Sequence, residues 1–319
     1  MAYYVLNRLV QLVLVIFFLS IIVFTIVRLI PGDPAAVMLG TEATPQALAQ
    51  IRKEMGLDEP LFVQYFKWVQ NVLAGNFGTS WVSKKPAIDL ILGALPVTLQ
   101  LVTGAFLVAL IIAVPAGILS AVRPRSWIDQ GSTAFAMLGI SLPNFWLGIM
   151  LVLLFALQLR WLPPSGYLPF RTDPVGALRA SILPAVTLGV ALAAPLTRFL
   201  RSGMLDVLGL DYVRTARAKG VTERRVVGRH ALRNALLSVV TVLGLQLGSL
   251  LGGSIVIEQV FGWPGIGRLS LAAIQQRDYG VVQGIVLFVA AAFVVVNFVV
   301  DLIYLYLDPR IRFESGQSA

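Results

Sequence analysis

Few residues in this chain are equipped for chemistry. Cysteine is absent and histidine occurs once, as His230, so thiol nucleophiles, disulfides, zinc–cysteine sites and iron–sulfur clusters are excluded. His230 sits between Arg229 and Arg233 without a serine or carboxylate placed to make it a base, and a hydrolase would need that pair. No G-x-x-x-x-G-K-[ST] segment occurs, so the chain has no phosphate loop for ATP. No catalytic, cofactor-binding or metal-ligating residue is therefore expected. What remains is a concentration of charge: nine of the 25 basic residues fall between Arg198 and Arg233.

That segment carries its own helix punctuation. Asp211 can cap a short helix through Lys219, and Gly220 is placed to end it in the left-handed conformation. Thr222 offers a second cap, with Glu223 and Arg224 in the turn that follows. Tyr212 and Ala216 lie one turn apart with Val213 beside them, while Arg214, Thr215, Arg217 and Lys219 make the rest polar. A short amphipathic helix of this kind can lie on anionic lipid or insert into a groove of another protein. Ala216, Ala218 and Gly220 favour the groove, because a membrane-seeking face carries larger apolar groups.

The elements that must position this segment are apolar. The chain is 57% hydrophobic and only 13% charged, with a mean hydropathy of +0.83. Soluble domains are roughly 25% charged. Six stretches lack Asp, Glu, Lys and Arg altogether: 9–27, 90–122, 130–159, 180–197, 234–257 and 279–300. A hydrocarbon core of about 30 Å needs roughly 20 helical residues, so each is read as one span. Within the two longest, the helices are expected at Leu95–Ala121 and Thr133–Leu157. Arg8 before the first stretch invites a signal-peptide reading, but the run is too long and lacks a small-x-small site, so an uncleaved helix is expected.

Basic residues orient the spans. With the N-terminus inside, the inner segments hold 14 and the outer ones six, once the five in the long Pro31–Asp89 interval are discounted. Both termini are thus expected in the cytoplasm. The net charge of +9 is a topology signal plus one loop, with no soluble basic face for nucleic acid. The expected order is an N-terminus and first span over 1–30 and an extracytoplasmic helical segment over 31–94. A core over 95–307 follows, with spans near 95–121, 133–157, 180–197, 235–257 and 279–305 and the inner loop 198–233. The tail is 308–319.

In the outer segment Thr44-Pro45 starts a helix that Gly56 ends, and a second helix runs from Pro60 to Gly75. This cap either docks a partner or packs on the outer ends of the spans. In the fifth span Gly244, Gly248 and Gly252 form a small-xxx-small face, with Gln246, Ser249 and Ser254 on the same helix. Helix packing and passage lining both remain open for it. Asp301 borders the inner end of the sixth span, and within the charge-free stretches buried carboxylates of the kind ion-coupled carriers use are not evident.

An ordered set of motifs adds to this reading. Pro31-Gly-Asp-Pro34 and Phe77-Gly-Thr-Ser80 flank the outer segment. The inner loop holds Asp211-Tyr-Val-Arg-Thr-Ala-Arg-Ala-Lys-Gly220 and Arg229-His-Ala-Leu-Arg-Asn-Ala235. Glu258-Gln-Val-Phe-Gly-Trp-Pro-Gly-Ile-Gly-Arg-Leu269, Arg277-Asp-Tyr279 and Asp308-Pro-Arg-Ile-Arg312 follow. In their order and spacing the chain resembles the membrane permease subunits of ABC importers of the peptide/nickel/glutathione class, above all the dipeptide and oligopeptide B-type permeases. Such permeases carry Glu-Ala-Ala, three residues, Gly, and later Ile-x-Leu-Pro in the inner loop. Here Arg214-Thr215-Ala216 and Gly220 stand at the first positions, and His230-Ala-Leu-Arg233 at the last.

The resemblance implies an all-α polytopic membrane protein of the type I importer fold, in a bacterial or archaeal cytoplasmic membrane. It implies a second homologous permease subunit, two cytoplasmic ATPase subunits that bind ATP and magnesium, and an extracytoplasmic peptide-binding protein. The inner loop would dock on the ATPase, and the cargo would be a dipeptide or short oligopeptide, with glutathione or a nickel chelate as the alternative. An ion-coupled secondary transporter and a channel are the rival classes.

Overall fold

The computed structural model describes residues 2–29, 34–39, 44–54 and 56–307. Most of the described residues are helical, and the isolated bridge between Thr79 and Pro86 is their one extended pairing. In chain order the helices are α1 (Ala2–Leu29), α2 (Pro34–Leu39), α3 (Pro45–Glu54), α4 (Leu61–Leu73), α5 (Ala87–Val122), α6 (Trp127–Ser141), α7 (Asn144–Leu151) and α8 (Pro174–Leu208). Then come α9 (Asp211–Ala218), α10 (Glu223–Arg225), α11 (Leu232–Val260), α12 (Ile266–Gln275) and α13 (Tyr279–Leu307). Two π-helical turns, Val152–Gln158 after α7 and Val226–Ala231 before α11, complete the set. The chain divides into two compact units, Met1–Pro96 with Arg268–Val295, and Val97–Gly267 with Val296–Ala319. The expected tail at 308–319 and residues 31–33 of the first motif lie outside the described residues.

The larger unit is built on α8. Two thirds (67%) of its membrane-length window is buried, against 11% for α1. Lipid offers no hydrophobic drive for helices to associate, so small residues must let the backbones come close. On α5 the buried line is Val97, Leu101, Ala105, Ala109, Ala113, Gly117 and Ala121, a four-residue repeat made mostly of small side chains. A methyl group on Gly189 of α8 would stand 2.7 Å from Val108 Cβ and 2.8 Å from the Ala105 carbonyl. Gly104 meets Ala185, and Gly117 meets Leu200, in the same way. Pro184 and Pro195 lie inside α8. Hydroxyls of Ser181, Thr187 and Thr197 donate to the carbonyls of Ala177, Leu183 and Ala193, each at 2.7 Å, keeping polar groups satisfied within the helix.

The third apolar stretch departs from expectation. Instead of one helix over Thr133–Leu157, α6 and α7 meet at 105°. Pro143 is the cause: it pushes Leu142 to φ −82°, ψ 130° and cannot continue the hydrogen-bond ladder of α6. By length and hydropathy four helices among the described residues can cross a membrane, or five if the bent pair makes one span. α11, 29 residues long, covers the expected fifth interval, and α8 extends beyond the expected 180–197 at both ends.

In the smaller unit, Thr44 caps α3, its hydroxyl accepting from Ala47 N at 3.2 Å, and Gly56 follows at φ 64°. α4 begins after Pro60 and ends before Gly75, at φ 84°. It is fastened to α1: Ser20 and Tyr65 share a hydrogen bond of 2.8 Å, and Arg28 donates twice to Gln64 Oε1, at 3.0 and 2.9 Å. Of the two readings for the outer segment, packing is what α4 displays along this face.

Overpacking costs about 1–3 kcal/mol, and the α5–α8 contact should feel it in full. Gly189→Leu is expected to lower the melting temperature of the detergent-solubilised protein by several degrees. Gly93→Ala, with open space around the added methyl, should leave it unchanged. Equal melting of the two variants would contradict this packing line.

Candidate functional site

The inner loop folds as a strapped, exposed helix. α9 is capped by Leu210, whose carbonyl receives the amides of Val213 and Arg214 at 3.0 and 3.3 Å. Asp211, expected as the cap, is instead the first helical residue. There its charge still favours the positive end of the helix, and its exposed pairing with Arg214 at 3.4 Å adds little. Thr215 donates to the Asp211 carbonyl at 2.9 Å. The end of the helix matches expectation closely. Gly220 has φ 77°, its amide donates to Arg217 O at 2.9 Å, and the Val221 amide donates to Ala216 O at 3.2 Å. These are the two bonds of a Schellman termination, which requires the left-handed residue.

Burial and hydrogen bonds fix the inner side of α9. Val213, Val226 and Ala231 are fully buried, and Ala216 is half-buried. The Tyr212 hydroxyl donates to the His230 carbonyl at 3.1 Å, and Asn234 Nδ2 donates to Tyr212 Oη at 2.7 Å. The helix is thereby tied to the π-helical turn and the first turn of α11. His230 thus works through its backbone, and no cluster that could hold a metal occurs among the described residues.

The outer side is basic with small gaps. Arg214, Arg217, Ala218, Lys219, Gly220, Arg224 and Arg225 are exposed. Thr222 stands at the start of α10, but its side chain makes no capping bond. Glu223 is engaged elsewhere: Arg217 donates to both its oxygens, at 3.0 and 2.7 Å. That bond holds the Glu223 carboxyl below the usual carboxylate range and raises the Arg217 guanidinium, so the bridge between α9 and α10 stays charged at neutral pH. Such a surface can dock on an acidic or carbonyl-rich groove, and it has no group for bond-making chemistry.

In α11, a methyl on Gly244 would come within 2.9 Å of Val300 Cγ1 on α13, so this glycine serves helix packing. Gln246 is half-buried and Ser254 fully buried. Gly248, Ser249 and Gly252 lie in the helix, but their surroundings fall outside the described residues.

Three buried carboxylates escaped the sequence reading, which looked for them only inside the charge-free stretches. Glu258, one residue beyond such a stretch, is fully buried and accepts from the Thr98 hydroxyl at 2.7 Å. Thr98 Oγ1 in turn accepts from the Ile266 amide at 2.9 Å. A methyl on Gly265 would fall 2.3 Å from Glu258 Oε1, and one on Gly267 would fall 2.6 Å from Ile255 Cα. The Gly-Ile-Gly of the motif is therefore room for a carboxylate and a backbone. Asp278 accepts from Ser80 Oγ at 2.5 Å and from the Trp81 amide at 3.3 Å, joining the Phe77–Ser80 motif to the Arg277–Tyr279 motif. Asp129 is held by Ser120, by the Arg125 amide at 2.8 Å, and by Arg201, whose two donors reach its oxygens at 2.5 and 2.9 Å. The premise that carboxylates are absent thus fails. Each is bonded to protein groups, the pattern of a structural anchor.

Comparison with known proteins agrees with this architecture. A family model for the inner membrane component of binding-protein-dependent transport systems matches residues 113–313, and a model for the N-terminal part of such membrane components matches residues 1–102. A Brucella abortus protein named as a peptide transport system permease is 43% identical over 310 residues, covering 97% of this chain and 99% of its own. The glutathione transport system permease protein GsiC of Escherichia coli K12 is also 43% identical, over 98% of this chain and 99% of its own. Among solved structures, the inward-facing MetNI methionine ABC transporter superposes with a TM-score of 0.53 at 22% identity. It covers 69% of this chain and 96% of the matched one, and shows the same fold.

Gly265→Ala is expected to destabilise the purified protein by about 1–3 kcal/mol, because its methyl must displace the Glu258 carboxylate. Gly131→Ala, unobstructed within 4 Å, is the control. A thermal melt in which both variants match the parent would detach Gly265 from the Glu258 anchor.

Proposed function

The chain belongs to the family of inner-membrane components of binding-protein-dependent transport systems, and from this premise we propose that it passes short peptides into the cytoplasm. It is an ABC importer permease, a multi-pass transport subunit that works with ATPase and binding-protein components. The peptide assignment rests on full-length identity to two relatives, one named for peptide and one for glutathione. Glutathione is itself a tripeptide, so short peptides are the class that includes both cargoes. Glutathione alone or a nickel chelate is the second reading, and equal identity to GsiC favours glutathione.

In this proposal a second homologous permease completes the passage. Two ATPase subunits, which carry the ATP and magnesium, meet the loop at 211–235, and both termini lie in the cytoplasm. Support for the docking role comes from the loop itself. Its exposed face offers five cations interrupted by Ala218 and Gly220, where a groove can close around the helix without large side chains in the way. Buried Val213 and the exposed Tyr212–His230–Asn234 tie connect any displacement of α9 to α11. ATP-driven approach of the ATPases then biases one two-state element, and the permease halves alternate between inward- and outward-facing forms.

The termination of α9 gives one test. A β-branched residue at φ 77° is strained by roughly 1–2 kcal/mol, whereas asparagine tolerates that region. Gly220→Val is expected to cut uptake of a labelled dipeptide roughly tenfold at normal membrane levels, and Gly220→Asn to retain most of it. Parental uptake by the valine variant would remove this helix end from coupling. Topology gives another test, made clean by the absence of native cysteine. Ser83→Cys should react with an impermeant thiol reagent on intact cells, and Thr222→Cys only after the membrane is opened. The reverse pattern would leave the loop no ATPase to meet.

A further inference from the structure

Among the described residues, α4 has one face packed on α1 and, beside it, an exposed apolar arc. At about 100° per residue, Gln64, Tyr65 and Trp68 fall on one side, and each meets a residue of α1. Tyr65 and Trp68 pack on Phe24 with ring centroids 5.3 and 5.7 Å away. A second arc of about 60° holds Phe62, Val69, Leu73 and Phe66. Phe62, Phe66 and Leu73 are 66%, 67% and 84% exposed, far beyond what a water-facing helix needs to leave open. Gln70, Lys67 and Asn71, all exposed, occupy the arc beyond them, with half-buried Val63 among them.

The height of α4 along α1 says what covers the apolar arc. Ser20, which bonds Tyr65, lies seven residues before Val27, where the charge-free run of α1 ends. At about 1.5 Å per residue this is roughly 10 Å inside the apolar run. The fastening continues through Phe24 to Arg28, the cation at the end of the run, whose guanidinium stacks on Phe24 and bonds Gln64. α4 therefore runs beside the last turns of a membrane span and not above it. On α1 itself, Phe18, Ile22 and Ile26 are exposed at this height, apolar surface that only lipid or another apolar body can cover. Amphipathic helices at an interface sink their apolar face about 5–10 Å into the headgroup–acyl boundary, the depth that α1 imposes here.

We propose that α4 is an interfacial helix whose Phe62, Phe66, Val69 and Leu73 arc is immersed in the bilayer leaflet at the C-terminal end of α1. Its occupant is phospholipid, and its Gln70–Lys67–Asn71 arc is the side in contact with water. The proposal does not depend on the cargo assigned above.

The test uses the assembled transport complex in phosphatidylcholine nanodiscs. Phe66→Cys, Leu73→Cys, Gln70→Cys and Asn71→Cys are each labelled with an environment-sensitive fluorophore, after confirming the parental melting temperature; Phe62→Cys replaces either apolar variant that melts early. Labels at 66 and 73 should lose most of their emission to doxyl-labelled phosphatidylcholine and little to aqueous iodide, and labels at 70 and 71 the reverse. Iodide quenching at 66 and 73 would place the arc in water, and protection from both quenchers would place it against protein, such as a second subunit. Either result overturns the proposal, and neither bears on what the complex transports.

Discussion

Close approach between α5 and α8 is the constraint on which the larger unit depends. In hydrocarbon two leucine-covered helices gain nothing by meeting, so stability must come from packing that lipid chains cannot match. Gly104, Gly117 and Gly189, with the alanines at 105, 109 and 113, allow that packing, and α8 can then be surrounded by other helices. Gly139 of α6 meets Ala194 of α8, and Gly148 of α7 meets Thr187 of α8 and Phe261 beyond α11, by the same device. A central helix enclosed in this way is free to carry prolines, because neighbouring protein shields the carbonyls they release.

The second organising element is the buried carboxylate. Each of the three lies near a helix end and ties a connecting segment to a span: Asp129 to α8 through Arg201, Glu258 to α5 through Thr98, and Asp278 to the Ser80 turn. A buried charge is tolerated when several donors converge on it, and removing a partner leaves it uncompensated. The arrangement makes segment geometry specific where hydrophobic contact alone would permit sliding. Motif residues 258–267 and 77–80, which bear no chemistry of their own, acquire a physical role as donors or as room for the acceptor.

Much of this was legible in composition and spacing. Charge-free runs announced the long helices, and Gly220 with the preceding Ala-Lys announced the end of α9, because positive φ has few residue types to choose from. Pairing across distant segments was not legible. Nothing local points from Asp129 to Arg201, 72 residues away. Glu258 was overlooked because a charge just outside an apolar run looks like its boundary. The bend at Pro143 was missed for the converse reason: hydropathy sums over a window are blind to direction, and a proline at the middle of a long apolar stretch divides it without changing its average.

That bend bears on how the chain enters the bilayer. α6 has 15 residues and α7 with its π turn a further 15, so neither reaches across about 30 Å alone, and the corner between them exposes backbone that lipid cannot satisfy. The helices that pack on its two arms, α8 on both and α11 on α7, are synthesised later. During biosynthesis the pair cannot partition as one straight rod, and its settled position awaits helices that have not yet emerged from the ribosome. Insertion at this point is a cooperative event of folding, with the order of assembly written into a single proline.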